Sequence, residues 1–359
     1  MKKITRFQRW CKKIKTDRKG KIYIGLDVHK RTNHMAIWHE GQIAISFSMP
    51  SDYGHLLRTL KRIPRRIEKI VYEAGPTGYG LARTLKKAGY SVAVIAPSSV
   101  LVPRGQHSKS DRLDCRALAE QYAATNKLKE IAIPTPQEES DRQVYRLREH
   151  LVKKRKRIKQ QIKSFLLQYS LEEPEGLDYW TKASVHQLRK MELPKELSFV
   201  RLIMITELEG LDFAVAEVED SLQEYFTDPR YQDKLEILQS HPAVGPLTAL
   251  AFCLEIHQPA RFGDPKSIAK YVGLAPKTEE SGETSRGGSI MKSGKDGLRS
   301  KLIEAAWRWI GRDQRARDLY DRLRKNCGKS NIAITGVARH LAIILWRMLL
   351  ENKKYIKTA

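Results

Sequence analysis

Between Ile22 and Val28 the chain alternates without a break. Ile22, Ile24, Leu26 and Val28 are interleaved with Tyr23, Gly25 and Asp27, and His29 follows. A period of two fits a strand with one buried face and no helix. His34 to Trp38 and Gln42 to Phe47 read as two further strands, with a turn at Glu40-Gly41. Ser51 is placed to cap a helix through Leu56, Leu57 and Leu60. Ile67 to Tyr72 is a fourth strand that ends at Glu73. Gly75-Pro76-Thr77-Gly78 then turns into a helix bearing Leu81 and Leu85, which Gly89 closes. Tyr90 to Ile95 is a fifth strand, and a helix from about Ser110 to Ala124 follows.

Three strands, helix, strand, helix, strand, helix is the element order of an RNase H-like α/β domain. We assign it residues 21–135, after a basic N-terminal arm at 1–20 that contacts a polyanion or is simply solvated. Pro134 and Pro136 mark the boundary. Residues 136–235 read as helical. Val144, Leu151, Ile158 and Phe165 recur every seven residues, with Leu147 at the other seam position. Leu197, Met204, Leu211, Val218 and Tyr225 form a second row, and Leu208, Val215 and Leu222 a third. Such helices pair as an antiparallel hairpin, join subunits as a coiled coil, or pack on their own domain. Residues 236–359 form a mainly helical third unit. It opens with Pro242-Ala243-Val244-Gly245-Pro246, a turn like that of a helix-hairpin-helix, in which Gly245 would present backbone amide to phosphate.

Charge narrows the partner. Sixty-six Lys and Arg stand against 41 Asp and Glu, a formal charge of +25. That excess favours nucleic acid through counterion release. No apolar run reaches the roughly 18 residues that span a bilayer, since Arg347 interrupts Leu341–Leu350, so no membrane partner is expected. The four cysteines make no CxxC pair, which argues against a zinc site. The basic N-terminus lacks an apolar core and is no secretory signal, so a cytoplasmic location is expected.

Four carboxylates stand out. Asp27 lies in an apolar strand, where an unpaired charge is costly. Glu73 lies at a strand's C-terminal end, where ligands collect in open sheets. Asp111 and Asp114 share a helix face. Converging, they would repel one another until divalent cations intervened, and magnesium, as two ions, suits an all-oxygen set. Each has a plainer reading: Asp27 pairs with His29 or Lys30, Glu73 is a solvated strand end, Asp111 favours the helix dipole, and Asp114 pairs with an arginine. Farther on, Gly273 to Gly282, Arg286-Gly287-Gly288 and Lys292-Ser293-Gly294 read as a polar surface loop. Ser281 within it is a turn serine or a nucleophile. Arg286, Lys292 and Arg299 are candidate phosphate contacts.

These motifs bear a specific resemblance. Tyr23-Ile24-Gly25-Leu26-Asp27-Val28-His29-Lys30, Tyr72-Glu73-Ala74-Gly75-Pro76-Thr77-Gly78-Tyr79-Gly80 and Lys109-Ser110-Asp111-Arg112-Leu113-Asp114-Cys115-Arg116 resemble the acidic motifs of the DEDD insertion-sequence transposases. Cys115 stands where that family more often has alanine. The stretch from His241 to about Ala306 is similar to the family's C-terminal domain, with its serine at Ser281. The resemblance implies a RuvC-like nuclease domain whose Asp27, Glu73, Asp111 and Asp114 bind magnesium. It implies that Ser281 forms a covalent phosphoserine link to DNA, completing a composite site with a partner subunit. It further implies donor and target DNA as substrates, an element-encoded guide RNA, a dimer or tetramer, and a nucleoid-associated prokaryotic protein. A RuvC-like junction nuclease acting by hydrolysis, without Ser281, is the competing expectation. A non-catalytic nucleic-acid scaffold is a third.

Overall fold

A computed structural model describes residues 5–16, 20–100, 111–125, 128–281, 284–290 and 296–356. The chain divides into two compact units, Met1–Pro134 and Thr135–Ala359.

The first unit comprises α1 (Arg6–Thr16), β1 (Ile22–Val28), β2 (Thr32–His39), β3 (Gln42–Pro50), α2 (Tyr53–Lys61), β4 (Ile67–Glu73), α3 (Gly80–Lys87), β5 (Val92–Ile95) and α4 (Asp111–Thr125). The strands form one mixed sheet, ordered β3-β2-β1-β4-β5. β1 runs antiparallel to β2 and parallel to β4, and β4 runs parallel to β5. Alternation along β1 decides what each face does. Ile22, Ile24 and Leu26 are fully buried with Met35, Ile37 and Ile70 against α2 and α3. Full burial of each such side chain is worth about 1.5–3 kcal/mol. Tyr23 turns to the other face and packs with Val71, Ala93, Ile95 and with Leu118 and Tyr122 of α4.

Two local readings change. The cap of α2 is Asp52, whose carboxylate accepts from the Gly54 and His55 amides, while the Ser51 hydroxyl donates to the Lys30 carbonyl at 2.7 Å. Much of the expected basic arm is α1, because Phe7 and Ile14 bury one face of it in the sheet core beside Phe47.

The second unit comprises α5 (Pro136–Gln168), α6 (Lys182–Lys190), α7 (Lys195–Thr227), α8 (Gln232–Gln239), α9 (Pro246–Ile256), α10 (Pro265–Tyr271), β6 (Pro276–Ser281), β7 (Thr284–Ile290), α11 (Asp296–Ile310), α12 (Gln314–Cys327) and α13 (Ser330–Glu351). Thr135 starts α5 with a reciprocal capping box to Glu138. α5 and α7 pair antiparallel within one chain. Arg148 meets Glu219, Arg155 meets Asp212 at 3.1 Å, and Tyr225 donates to Asp141 at 3.2 Å, so rising numbers on α5 meet falling numbers on α7. Leu208, Val215, Leu222, Ile158 and Phe165 are buried as the heptads require, whereas Leu147 is 49% exposed. The seam at that end belongs instead to Tyr145, which is 1% exposed.

At the hairpin's base Asp141 is buried and accepts from Gln137, Tyr225, Tyr231 and Arg230. Burial and this carboxylate push the Tyr225 hydroxyl up to about 12 and the Tyr231 hydroxyl higher still. The neighbouring Glu255, buried on α9, receives two hydrogen bonds from Arg146 at 2.8 and 3.0 Å. From Thr248 to Ile256 every residue of α9 is buried. By length and composition α13 is apolar enough to cross a membrane, contrary to the reading of its sequence. Arg347 does not break its apolar character, and Ala333, Val337, Leu341 and Leu345 fill this unit's core. The serine-bearing stretch, read as a loop, is in part the antiparallel ribbon β6–β7.

Candidate active site

Asp27 is the last but one residue of β1, and Glu73 is the last of β4. The strands are parallel, with Leu26 beside Tyr72, so the two carboxylates follow one step on, at the same edge of the sheet. Neighbouring strands lie about 4.8 Å apart. Alternation puts Asp27 on the face of Tyr23 and Gly25, and Glu73 on the face of Val71; that is the α4 face. Asp27 has a side-chain exposure of 20%, and Glu73 is exposed.

α4 is brought to this edge by a missing side chain. A Cβ built on Gly25 would lie 2.0 Å from the Cys115 carbonyl oxygen and 2.9 Å from the Ala119 amide nitrogen. Only glycine lets helix and strand backbones approach so closely. The consequence is electrostatic as well: burial, aided by the nearby Asp27 charge, pushes the Cys115 thiol up to about 12, so it stays protonated. Asp114, one residue before, is exposed in the first turn of α4. Asp111 opens that helix, and its side chain lies outside the described residues.

Histidines flank Asp27. His29 Nε2 lies 3.0 Å from Asp27 Oδ2, the pairing that the plainer reading named. His34 is Asp27's cross-strand partner on β2, and its Nδ1 lies 3.0 Å from Ser48 Oγ. Arg116 of α4 donates to Ser46 at 3.2 Å. His34 and Ser48 were not singled out from sequence, although period two on β2 and β3 places both on Asp27's face.

Among the described residues no three His, Cys, Asp or Glu side chains are gathered closely enough to hold a metal ion. Asp27, Glu73 and Asp114 share one edge. They offer only carboxylate oxygens, a donor set that suits a hard divalent cation and does not suit zinc.

The other candidates lie in the second unit. Ser281 ends β6, backbone-paired with Thr284, and Arg286 on β7 is paired with Glu279; their side chains lie outside the described residues. So does the whole of Lys292. Arg299 on α11 is half-buried and bonded to Asp296, with its Nη1 buried and lacking a hydrogen bond among the described residues. Gly245 caps α9 with φ −85°, and a Cβ there would meet nothing nearer than Arg308 at 3.8 Å, so sterics do not demand glycine. The turn before it joins α8 to α9, as a helix-hairpin-helix requires, and is held by Arg312 donating to the Pro242 carbonyl at 2.7 Å.

Residues 24–171 match a transposase family profile of the DEDD type, and residues 235–321 match that of the IS116/IS110/IS902 transposase family. The Sinorhizobium fredii protein y4qE, named for a transposase, is 26% identical over 364 residues, 92% of this chain and 89% of that one. The transposase of element IS1111A from Coxiella burnetii is 25% identical across 76% of this chain and 75% of its own. That of element IS1533 from Leptospira borgpetersenii is 25% identical across 67% and 70%.

Proposed function

We propose, for a chain that belongs to the DEDD-type insertion-sequence transposases and is therefore a DNA recombinase, that its first unit is a RuvC-like, RNase H-like nuclease fold and that Ser281 is its nucleophile. The observation that carries the reading is the Gly25 contact, which brings the helix bearing Asp111 and Asp114 to the strand edge of Asp27 and Glu73.

In this reading the four carboxylates hold two magnesium ions, which would supply Lewis acidity at the scissile phosphate. His29, hydrogen-bonded to Asp27, fixes that carboxylate's orientation. Ser281 comes from a second subunit. Its Oγ attacks phosphorus as the bond to one strand end breaks. The hydroxyl proton passes to solvent, and the departing oxygen leaves as a free strand end. The serine ester keeps the phosphodiester energy, so the reverse attack by another strand end rejoins DNA without a nucleotide cofactor. Arg286, Lys292, Arg299 and the Gly245 turn contact backbone phosphate. An element-encoded RNA supplies sequence choice by base pairing while the protein reads shape.

A covalent-adduct assay tests this. Protein, its element's RNA and end-labelled donor DNA are combined with magnesium and run on a denaturing protein gel. Label travelling with wild-type protein, and lost in Ser281→Ala and Asp27→Ala, supports the serine mechanism. Cleaved DNA without protein-linked label, persisting in Ser281→Ala, replaces it with a hydrolytic junction nuclease. Full recombination by RNA-free protein removes the guide.

A further inference from the structure

The last turn of α9 gathers cationic groups that the protein's own acids do not satisfy. Arg142 of α5 is 7% exposed, yet it makes no hydrogen bond and no ion pair among the described residues. A buried guanidinium without a partner is costly. Its nitrogens are not sealed from solvent, so the little surface it keeps includes the charged fork. Arg261 ends the short 3₁₀ turn Pro259–Arg261, with its guanidinium 4.3 Å and 4.4 Å from the ring centres of Phe262 and Tyr271. Trp346 holds that turn by donating to the Pro259 carbonyl at 2.9 Å. Arg261 and Tyr271 both donate to the Glu255 carbonyl, at 3.4 and 3.0 Å, and so cover the negative end of the helix. Arg261 Nε is buried without a hydrogen bond among the described residues.

His257 joins them at a strained position. It caps α9 with φ 41° and ψ −49°, a region that residues with a side chain avoid. Strain of this kind persists only where the surroundings hold it, and it gathers at binding sites. Its Nδ1 is also buried without a hydrogen bond among the described residues. Burial, then the Arg261 and Arg142 charges, lower His257 from 6.5 to about 4, so both guanidiniums lie near a ring that is uncharged at neutral pH. The two acids that act on it in the opposite sense, Glu138 and Glu255, are engaged elsewhere. Glu255 takes two hydrogen bonds from Arg146, and Glu138 accepts from the Thr135 amide. Two planar forks beside a neutral imidazole suit a tetrahedral oxyanion, which takes several hydrogen bonds at once.

We infer that Arg142, Arg261 and His257 bind a phosphate group beside the last turn of α9. The group belongs to a nucleic-acid backbone or to a free phosphate-bearing ligand. The site uses neither the acidic edge nor Ser281, so it stands or falls apart from the catalytic reading.

Full-length protein is melted in sodium phosphate and in sodium chloride of equal ionic strength. Phosphate is excluded from protein surfaces and stabilises any fold to some degree, so the site is read from the difference between wild type and variant. With phosphate about fiftyfold above Kd, wild type is expected to gain about 5 °C more in Tm than Arg142→Met does. In chloride Arg142→Met should melt no lower than wild type, because it removes a buried charge that has no partner. His257→Gly should likewise hold its Tm in chloride, by relieving the positive φ, and lose part of the phosphate gain. Arg142→Lys keeps the charge without the fork and should show a smaller gain; it carries the test if Arg142→Met does not fold. Duplex DNA binding titrated against salt then assigns the source. A slope of log K against log salt that is shallower by about one in Arg142→Met places the phosphate on a strand, and an unchanged slope makes it a free ligand. Equal phosphate gains in wild type and Arg142→Met overturn the inference. So does an Arg142→Met that melts lower in chloride yet keeps its phosphate gain, which would make Arg142 a packing residue.

Discussion

Gly25→Ala tests how the acidic edge is assembled. The added methyl would sit 2.0 Å from the Cys115 carbonyl oxygen, 2.9 Å from the Ala119 nitrogen and 3.1 Å from the Ala119 Cβ. An ordinary carbon–oxygen contact is about 3.3 Å, so α4 must retreat by about 1.3 Å. Both partners at closest approach are helix backbone, which cannot swing aside as a side-chain tip can. Overpacking of this kind costs about 1–3 kcal/mol. Function suffers more, because a shift of about 1 Å at a catalytic group costs about a hundredfold in rate, and Asp111 and Asp114 ride on the displaced turn. The assay pairs urea denaturation with single-turnover adduct formation under magnesium. The expected variant is folded, destabilised by about 1–3 kcal/mol and slower by about two orders of magnitude. A Gly25→Ala protein with wild-type rate and stability would refute the argument that this contact sets the site. Gly41→Ala is the control. It stands in an open turn with φ +82° and nothing within 4 Å of a Cβ, and it should lose stability without a comparable loss of rate.

Other outcomes follow from buried polar groups in the second unit. Asp141→Ala leaves two buried tyrosine hydroxyls without their acceptor while Arg230 keeps Asp228, and a loss of about 1–3 kcal/mol is expected by urea titration. Arg146→Ala leaves the Glu255 carboxylate buried without its cation, and about 2–3 kcal/mol is expected by the same titration, below the cost at a fully buried pair because Arg146 is 29% exposed. His241 lies against Trp309 and Tyr355, and burial lowers it from 6.5 to about 4. As pH falls from about 6.5 to about 4 the unfolded chain takes a proton that the folded one refuses. Stability therefore drops by up to about 1.4 kcal/mol per pH unit. Thermal melts at pH 7.5 and 5 should show a smaller pH difference for His241→Gln than for wild type.

The strands were legible because alternation is a local signal. Ile22 to Val28 matches β1 at both ends, and Ile67 to Glu73 matches β4. The strand positions of Asp27 and Glu73 were legible for the same reason, since a strand's register fixes which face each residue takes. What sequence did not show depends on partners far along the chain. α1 was missed because its basic residues mask the spacing of Phe7, Trp10 and Ile14. The ribbon β6–β7 was read as a loop because Gly and Ser carry no periodicity, and its pairing is set by backbone alone. Leu147 fits a heptad by spacing yet faces water, because Tyr145 fills the seam. The closeness of α4 to β1 is not written in Gly25, which reads equally as a weak strand residue until the helix is seen against it.

The α5–α7 hairpin also orders the steps by which its unit forms. Arg189 and Glu209, near its closed end, are 20 residues apart in sequence. Arg155 and Asp212 are 57 apart, Arg148 and Glu219 are 71 apart, and Tyr231 and Asp141 at the open end are 90 apart. The entropy lost in closing a loop rises with its length, so contacts of small separation form first. The hairpin is thus built to zip from α6 toward Asp141, each closed rung shortening the loop left for the next. Glu255, 109 residues from Arg146, closes last, and the burial of α9 waits on a pair of helices already zipped.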